Sequence, residues 1–449
     1  MTEVWTADPP GLITVLLQRE AFVLADQATT ARILAAVEAR QERIVRMMQE
    51  IVQVESVTGN EAPAQNYVAG LLRELGMKVD MFEPDLAELE KHPGYWAQPG
   101  LNFAGRPNVV GILEGDPAAR SLVLNGHIDT IPLGPDEAWT EAGALSGAVK
   151  DGEVHGRGSS DMKCGLIMFI AALQTLVESG LKPRGKVILQ SVVDEEVSGL
   201  GTLACVQKGY TADAGICGET SDMQVMPACI GRLWFKILVR GKSAGIATRW
   251  LAVDAIQKAI KIVNAFEDLQ QIRLDTLTHP LYPDNRMALP CSVNMINAGS
   301  YPSATPEVAV LQGSLGTMPY EDLEDVKEQI RRQVTLVSQA DPWLREHLPE
   351  VIFDGYTAVG AEIPQDHPIV RTVTGAYETA LKHQPTYGGR TGAADTRFLI
   401  RYGNTPTVIF GPGVTAKMHM INESVPIKSL ADAVKVAALA IYEWCSQDR

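Results

Sequence analysis

An apolar run, Leu122-Val123-Leu124, stops at Asn125-Gly126, and His127 and Asp129 follow at once. Apolar residues that end at a glycine read as a buried strand reaching its end. In an open α/β sheet, sites are built in the space beyond the carboxyl ends of the strands. A histidine placed there can offer one ring nitrogen to a metal while a nearby aspartate holds the other. Alone, a His-x-Asp at a strand end is more often a turn with a satisfied histidine.

Further acids and a second histidine occupy similar places. Asp161 lies between Gly156-Arg157-Gly158 and an apolar helix. Glu195 and Glu196 follow the strand Val187–Val193, Glu219 follows Ile216, and His419 lies past Phe410-Gly-Pro-Gly413. Each has an ordinary reading in isolation: Asp161 as a helix N-cap, the glutamate pair as solvated charge, Glu219 as a loop carboxylate. If the strands run parallel, all these ends converge on one edge of the sheet. Five such residues near element ends then suit a pair of divalent ions: two histidines, one bridging carboxylate, and one further carboxylate per ion. Mixed imidazole and carboxylate donors favour Zn, Mn or Co over Ca or Mg. Paired ions about 3.5–4 Å apart polarise a carbonyl and generate a bound hydroxide. Adjacent glutamates in extended chain point opposite ways, so Glu195 and Glu196 require a turn to face one site.

The elements that must position these residues form an α/β pattern. Helical periodicity runs from about residue 11 to 54, clearest from Ala31 to Val54, and again from Glu61 to Leu75. Strands are expected at Met77–Phe82, Asn108–Leu113, Leu122–Leu124, Lys186–Val193 and Ala214–Cys217, with a long surface loop over 83–107. Near residue 229 the texture changes. Strands at Leu233–Val239, Cys291–Ile296, Val308–Leu315 and Val351–Phe353 alternate with helices at Ala252–Leu269 and Asp322–Val337. That order, β-α-β-β-α-β, is a ferredoxin-like unit. After Asp354 come helices at His367–Leu381 and Ser429–Cys445 and a strand at Thr405–Phe410. The expected organisation is a metal-binding α/β catalytic domain of residues 1–228 and 355–449. Into it is inserted a ferredoxin-like α+β domain of residues 229–354.

At 449 residues the chain is too long for one core. A net charge of -15 argues against a nucleic-acid surface and against anionic membranes. The first ten residues carry no signal-peptide pattern, and no apolar run approaches a membrane span. The six cysteines are scattered without a CxxC pair and read as reduced thiols, which points to the cytoplasm.

The chain resembles the M20 family of binuclear metallo-amidohydrolases and peptidases, which includes acetylornithine deacetylase, succinyl-diaminopimelate desuccinylase, aminoacylase and carboxypeptidase G. The matching stretches are Gly126-His127-Ile-Asp129-Thr, Gly156-Arg-Gly-Ser-Ser-Asp161-Met-Lys-Cys-Gly165, Asp194-Glu195-Glu196, Gly218-Glu219-Thr, Asp395-Thr-Arg397-Phe and His419-Met-Ile-Asn422-Glu423. The resemblance implies that His127 and Glu219 hold one metal, Glu196 and His419 the other, and that Asp161 bridges. It implies that Asp129 orients His127. Glu195 would be the general base, passing a proton from water to the leaving nitrogen. It also implies a homodimer formed through the inserted lid domain.

Three departures from that pattern fall on the substrate side. Gly245 stands where the family usually has an oxyanion-binding histidine, in Gly241-Lys-Ser-Ala-Gly245. Gly313-Ser-Leu-Gly316-Thr lacks the arginine that often binds a substrate carboxylate. Thr391-Gly392-Ala393-Ala394 has methyl groups where hydroxyls are common. Gly245, Gly392, Ala393 and Arg397 are therefore the candidates for substrate contact, and Arg249, Arg390 and Arg397 the remaining partners for a carboxylate. The expected activity is hydrolysis of an amide or related C–N bond in a small compound, an N-acyl amino acid or one less polar and aromatic. Two other readings stay open: a metal-holding binding protein that has lost turnover, and a short-peptide metallopeptidase.

Overall fold

The computed structural model describes residues 26–449. The part of the expected helical pattern before Asp26, and the opening ten residues, lie outside the described residues. From Ala31 to Val54 the periodicity is carried by two helices, Gln27–Glu38 and Gln41–Gln53, with a break at Ala39–Arg40. Their apolar positions, Ile33, Val37, Ile44, Met48 and Ile51, are fully sequestered, which is what the three-and-four spacing requires.

The larger sheet has nine strands. Its centre is Val187–Val192, Leu122–His127, Ala214–Cys217 and Thr407–Ile409, all mutually parallel. Its flanks correct the expectation of a parallel sheet. Asn108–Leu113 runs antiparallel to Val187–Val192, Lys78–Phe82 antiparallel to Asn108–Leu113, and Val225–Cys229 antiparallel to Thr407–Ile409. The architecture is thus mixed α/β. Because the four central strands are parallel, their carboxyl ends share one edge, and the loops that leave them carry the candidate site.

Three strands of this sheet were hidden in the sequence: the short Ala361–Glu362 and two longer ones. Val225–Cys229 contains Pro227, and Tyr387–Arg390 contains Gly388 and Gly389, so breakers mask both. Gly389 is needed there, since a Cβ would lie 2.2 Å from the Tyr282 ring.

The helix Lys163–Glu178 is apolar on all sides and buried from Lys163 to Leu176. It packs against Leu122–His127, Gln41–Gln53 and the last helix, Ile427–Cys445, so it is a core helix by its sequence and its surroundings. Gly165 lets its first turn press against the strand end that carries Glu219: a Cβ at 165 would sit 2.0 Å from the Gly218 carbonyl oxygen.

The inserted sheet orders Cys291–Ala298, Val308–Thr317, Gly231–Arg240 and Glu350–Ile352, all antiparallel, with helices Ala255–Thr276 and Leu323–Gln339 against it. This is the ferredoxin-like arrangement. Along Gly231–Arg240 the residues Leu233, Phe235, Ile237 and Val239 enter its own core. Arg232, Trp234 and Lys236 therefore lie on the opposite face, toward the larger sheet's loops.

Candidate metal centre

His127 is the last residue of its strand and is buried. Its Nδ1 donates to the Asp129 main-chain carbonyl at 2.9 Å, which turns Nε2 into the site. There Nε2 lies 3.2 Å from Asp161 Oδ1, 3.4 Å from Glu219 Oε1 and 3.8 Å from Glu195 Oε2. The second histidine approaches from the other side. His419, at φ 62 in the loop after Ile409, places Nε2 3.3 Å from Asp161 Oδ2 and 3.0 Å from Glu196 Oε2. Asp161 thus presents one oxygen to each histidine.

Asp129 lies against His127 and also holds the glutamate pair. Its carboxylate lies 3.6 Å from His127 Nδ1 and accepts the main-chain N–H of Glu195 at 3.1 Å and of Glu196 at 3.2 Å, with the Thr58 hydroxyl at 2.9 Å. It therefore fixes the backbone of the glutamate pair, while its own carbonyl orients the imidazole. The required turn is present. Asp194 has φ 72, and its carbonyl accepts the N–H groups of Ser198 and Gly199, so both glutamate side chains reach the site.

Asp161 does not cap the helix behind it, whose N-cap position is Met162 with no side-chain bond. The loop carrying Asp161 is instead held by Glu423, whose Oε1 accepts from Ser160 N at 2.8 Å and Asp161 N at 3.0 Å. Arg157 donates to the other Glu423 oxygen at 2.8 Å. The sequence placed Glu423 in a matching stretch without a role; a buried carboxylate bonded to two main-chain N–H groups is visible only after folding.

The electrostatics follow from four carboxylates in a small buried volume. Burial pushes the Glu195 carboxyl well above its usual range, with the charges of Glu219, Asp395 and Glu196 adding to it. Burial and its acidic neighbours raise Asp129 to about 8. Burial disfavours a charged His127, yet bonds to Asp161 and Glu219 and the Glu195 charge hold its proton well above the usual imidazole range. Bonds to Asp161 and Glu196 raise His419 to about 10. The crowding carboxylates favour the charged form of both histidines, and divalent cations would neutralise the same excess charge.

The donor set fits such ions. Two triads, His127–Glu195–Glu219 and His127–Asp161–Glu196, each gather their ligand atoms within 4.8 Å of one another. Glu219 Oε1 is buried and lies 3.4 Å from His127 Nε2, while its Oε2 pairs with Arg390 at 3.0 Å and accepts the Thr220 N–H. If His127 Nε2 carries no proton, that buried oxygen is left for a cation or a water.

A cavity of about 1120 Å³ opens over Asp161, Glu195, Glu196 and His419. Gly392 and Ala393 line it. Gly245 does not: it is exposed on the inserted unit, with nothing within 4 Å of a Cβ built there. Arg397 is buried behind the wall, donating to the Ser198 carbonyl at 2.8 Å and lying over the Phe398 ring. Arg249 pairs with Asp254 at 3.3 Å, so each arginine foreseen as a carboxylate partner is already engaged. Trp96, Trp234 and Tyr356 form an aromatic stretch of its wall, in edge-to-face contacts with ring centroids 5.0–6.4 Å apart.

Residues 123–443 match the model of the peptidase family M20/M25/M40. The N-formyl-4-amino-5-aminomethyl-2-methylpyrimidine deformylase of Halalkalibacterium halodurans is 26% identical over 450 residues, covering 92% of this chain and 97% of that one. The enzyme of the same name from Bacillus subtilis is 27% identical over 435 residues, with the same coverage. A tripeptidase structure from Staphylococcus aureus superimposes with a TM-score of 0.70 at 21% identity, covering 91% of this chain and 99% of that one, a likeness of fold.

Proposed function

The chain belongs to the peptidase family M20/M25/M40, and on that premise we propose that it removes a short acyl group, formyl included, from the amine of a small aromatic or weakly polar compound. It is a metal-dependent amidohydrolase. The observation that carries the reading is the Asp161 carboxylate, which divides its oxygens between His127 and His419 on the floor of the cavity, with Glu195 beside it. The relatives named as deformylases of an N-formyl aminopyrimidine support a formamide on an aromatic ring. The aromatic wall and the absence of an arginine from Gly313–Thr317 support it as well.

In this reading His127 and Glu219 would hold one ion, Glu196 and His419 the other, and Asp161 would be shared between them. The imidazole and carboxylate donors favour Zn, Mn or Co. When bound, such a pair polarises the amide carbonyl and makes water a stronger acid. Glu195 takes the proton of the attacking water on its carboxylate and returns it to the leaving nitrogen. Its burial suits both transfers, because a raised carboxyl pKa lets one group act first as base and then as acid. Asp129 keeps Glu195 in place through its backbone N–H. Residues 1–228 with 355–449 form the catalytic domain, and residues 229–354 the lid through which two copies pair. The protein works in the cytoplasm, with no nucleic-acid or membrane partner; among the described residues no helix is long and apolar enough to cross a membrane.

The test is a panel of N-formyl, N-acetyl, N-carbamoyl and dipeptide substrates after chelation and reloading with Zn, Mn or Co. Formamides and acetamides of aromatic methylamines are expected to turn over fastest, with activity lost on chelation. Preference for dipeptides would overturn the reading. Light scattering is expected to give a mass of two 48.6 kDa chains.

A further inference from the structure

Arg232 lines the cavity, and its side chain has no hydrogen bond or ion pair among the described residues. The reason is its register. On one side Arg232 faces Gly316, and on the other it faces Ala358, neither of which has a polar side chain. Two residues along the same face is Trp234, opposite Ser314, and two further is Lys236, which is spent on Asp354 at 2.8 Å. Burial depresses the Arg232 guanidinium from its ordinary value, and the acidic group that acts on it is the Tyr356 phenol. Arg232, Tyr356 and Glu195 all line the one cavity. A half-buried guanidinium without a carboxylate is costly unless a ligand supplies one. Its planar donor fork suits a carboxylate held in two bonds.

We propose that Arg232 is a specificity-determining residue that binds a carboxylate on the substrate, at the end of an aromatic ring remote from the scissile amide. The inference rests on the acyl-removal reading and extends it to the substrate class: an N-acyl aromatic amine bearing one acidic group. Trp96, Trp234 and Tyr356 flank the ring, and Arg232 receives the anion. The sequence offers Arg249, Arg390 and Arg397 as carboxylate partners in place of the arginine missing from Gly313–Thr317. Arg232 sits across the ladder from Gly316, so the charge is present on the neighbouring strand.

The matched pair 4-(formamidomethyl)benzoate and 4-(formamidomethyl)benzamide tests this, since the two differ by one charge. The metal-loaded wild type is expected to prefer the benzoate by at least about tenfold in kcat/KM. Arg232→Gln is expected to lose about 10- to 100-fold on the benzoate, mostly in KM, and to leave the benzamide unchanged. Arg232→Lys is expected to recover part of the loss. Equal effects of Arg232→Gln on the two compounds, or a wild type that prefers the benzamide, would overturn the proposal. Calorimetric binding of both compounds to metal-loaded Glu195→Gln protein, with and without Arg232→Gln, separates this proposal from the activity on which it rests. If neither compound is hydrolysed but the benzoate binds tighter through Arg232, the anion site stands and acyl removal from such amines falls. If both are hydrolysed and bind alike, the anion site falls and the activity stands.

Discussion

Arg106 Nη2 lies 2.8 Å from Asp194 Oδ1, and both side chains are buried. The same guanidinium is clamped by Glu61 at 2.6 and 2.9 Å. Asp194 begins the turn that aims Glu195 and Glu196 at the cavity, so this buried triad sets the backbone from which the proposed base projects. Removing one member leaves a buried charge without its partner. Arg106→Ala is therefore expected to lower the unfolding free energy by about 3–5 kcal/mol, read by urea denaturation. It is also expected to lower kcat with Glu195 intact. A loss below about 1 kcal/mol would mean that the triad behaves as a surface pair.

Asp161 is the residue whose two oxygens serve different histidines. Asp161→Asn keeps the shape but replaces one oxygen by an amide, which cannot ligate as a second carboxylate oxygen does. The expected outcome is fewer than two ions per chain after loading and dialysis, measured by atomic absorption, with activity reduced by about 10²-fold or more. A variant that retains both ions and full activity would remove Asp161 from the bridging role.

Glu195 separates catalysis from metal holding. Although its carboxylate comes within 3.8 Å of His127, its proposed task is proton transfer. Glu195→Gln is expected to lower kcat by about 10²–10⁴-fold while the metal content stays near that of the wild type. Loss of metal in parallel with activity would instead make Glu195 a ligand, as its place in one of the two donor triads allows.

The sequence made the strand ends legible because apolar runs stopping at Gly126, Asp194 and Gly218 mark where buried chain meets the surface. His127, Asp161, Glu195, Glu196, Glu219 and His419 are brought together because the strands feeding five of them are parallel. What stayed hidden depended on contacts between distant segments. The use of the Asp129 carboxylate to hold Glu195 and Glu196 spans 66 and 67 residues, and the Glu423 clamp on Asp161 spans 262. The antiparallel sense of Lys78–Phe82 and Asn108–Leu113 depends on pairing that one strand does not encode, and Val225–Cys229 and Tyr387–Arg390 were hidden because Pro227, Gly388 and Gly389 read as breakers. Arg232 was missed because its lack of a partner is set by the cross-strand neighbours Gly316 and Ala358, and register is not written in one strand.

Asp341 offers a pH test away from the site. Its Oδ2 takes Lys258 at 2.7 Å and Lys261 at 2.9 Å, and its Oδ1 accepts the N–H groups of Trp343 and Leu344 at 2.9 and 3.0 Å. It thereby ties helix Ala255–Thr276 to the chain leaving helix Leu323–Gln339. Burial works against the charge, but the two ammonium bonds and the two main-chain donors outweigh it and hold the carboxyl well below its usual range. In the unfolded chain the same group titrates near about 3.9. Between the folded and unfolded values the unfolded state binds more protons, so this contribution grows as pH rises through that window. It is complete above the unfolded value and is lost as pH falls toward the folded one. Asp341→Asn is accordingly expected to cost about 1–2 kcal/mol at neutral pH. The gap from wild type should narrow steadily below about pH 4, when unfolding is followed in denaturant across a pH series. A gap that stays constant or widens in acid would show that the Asp341 charge is not what joins these helices.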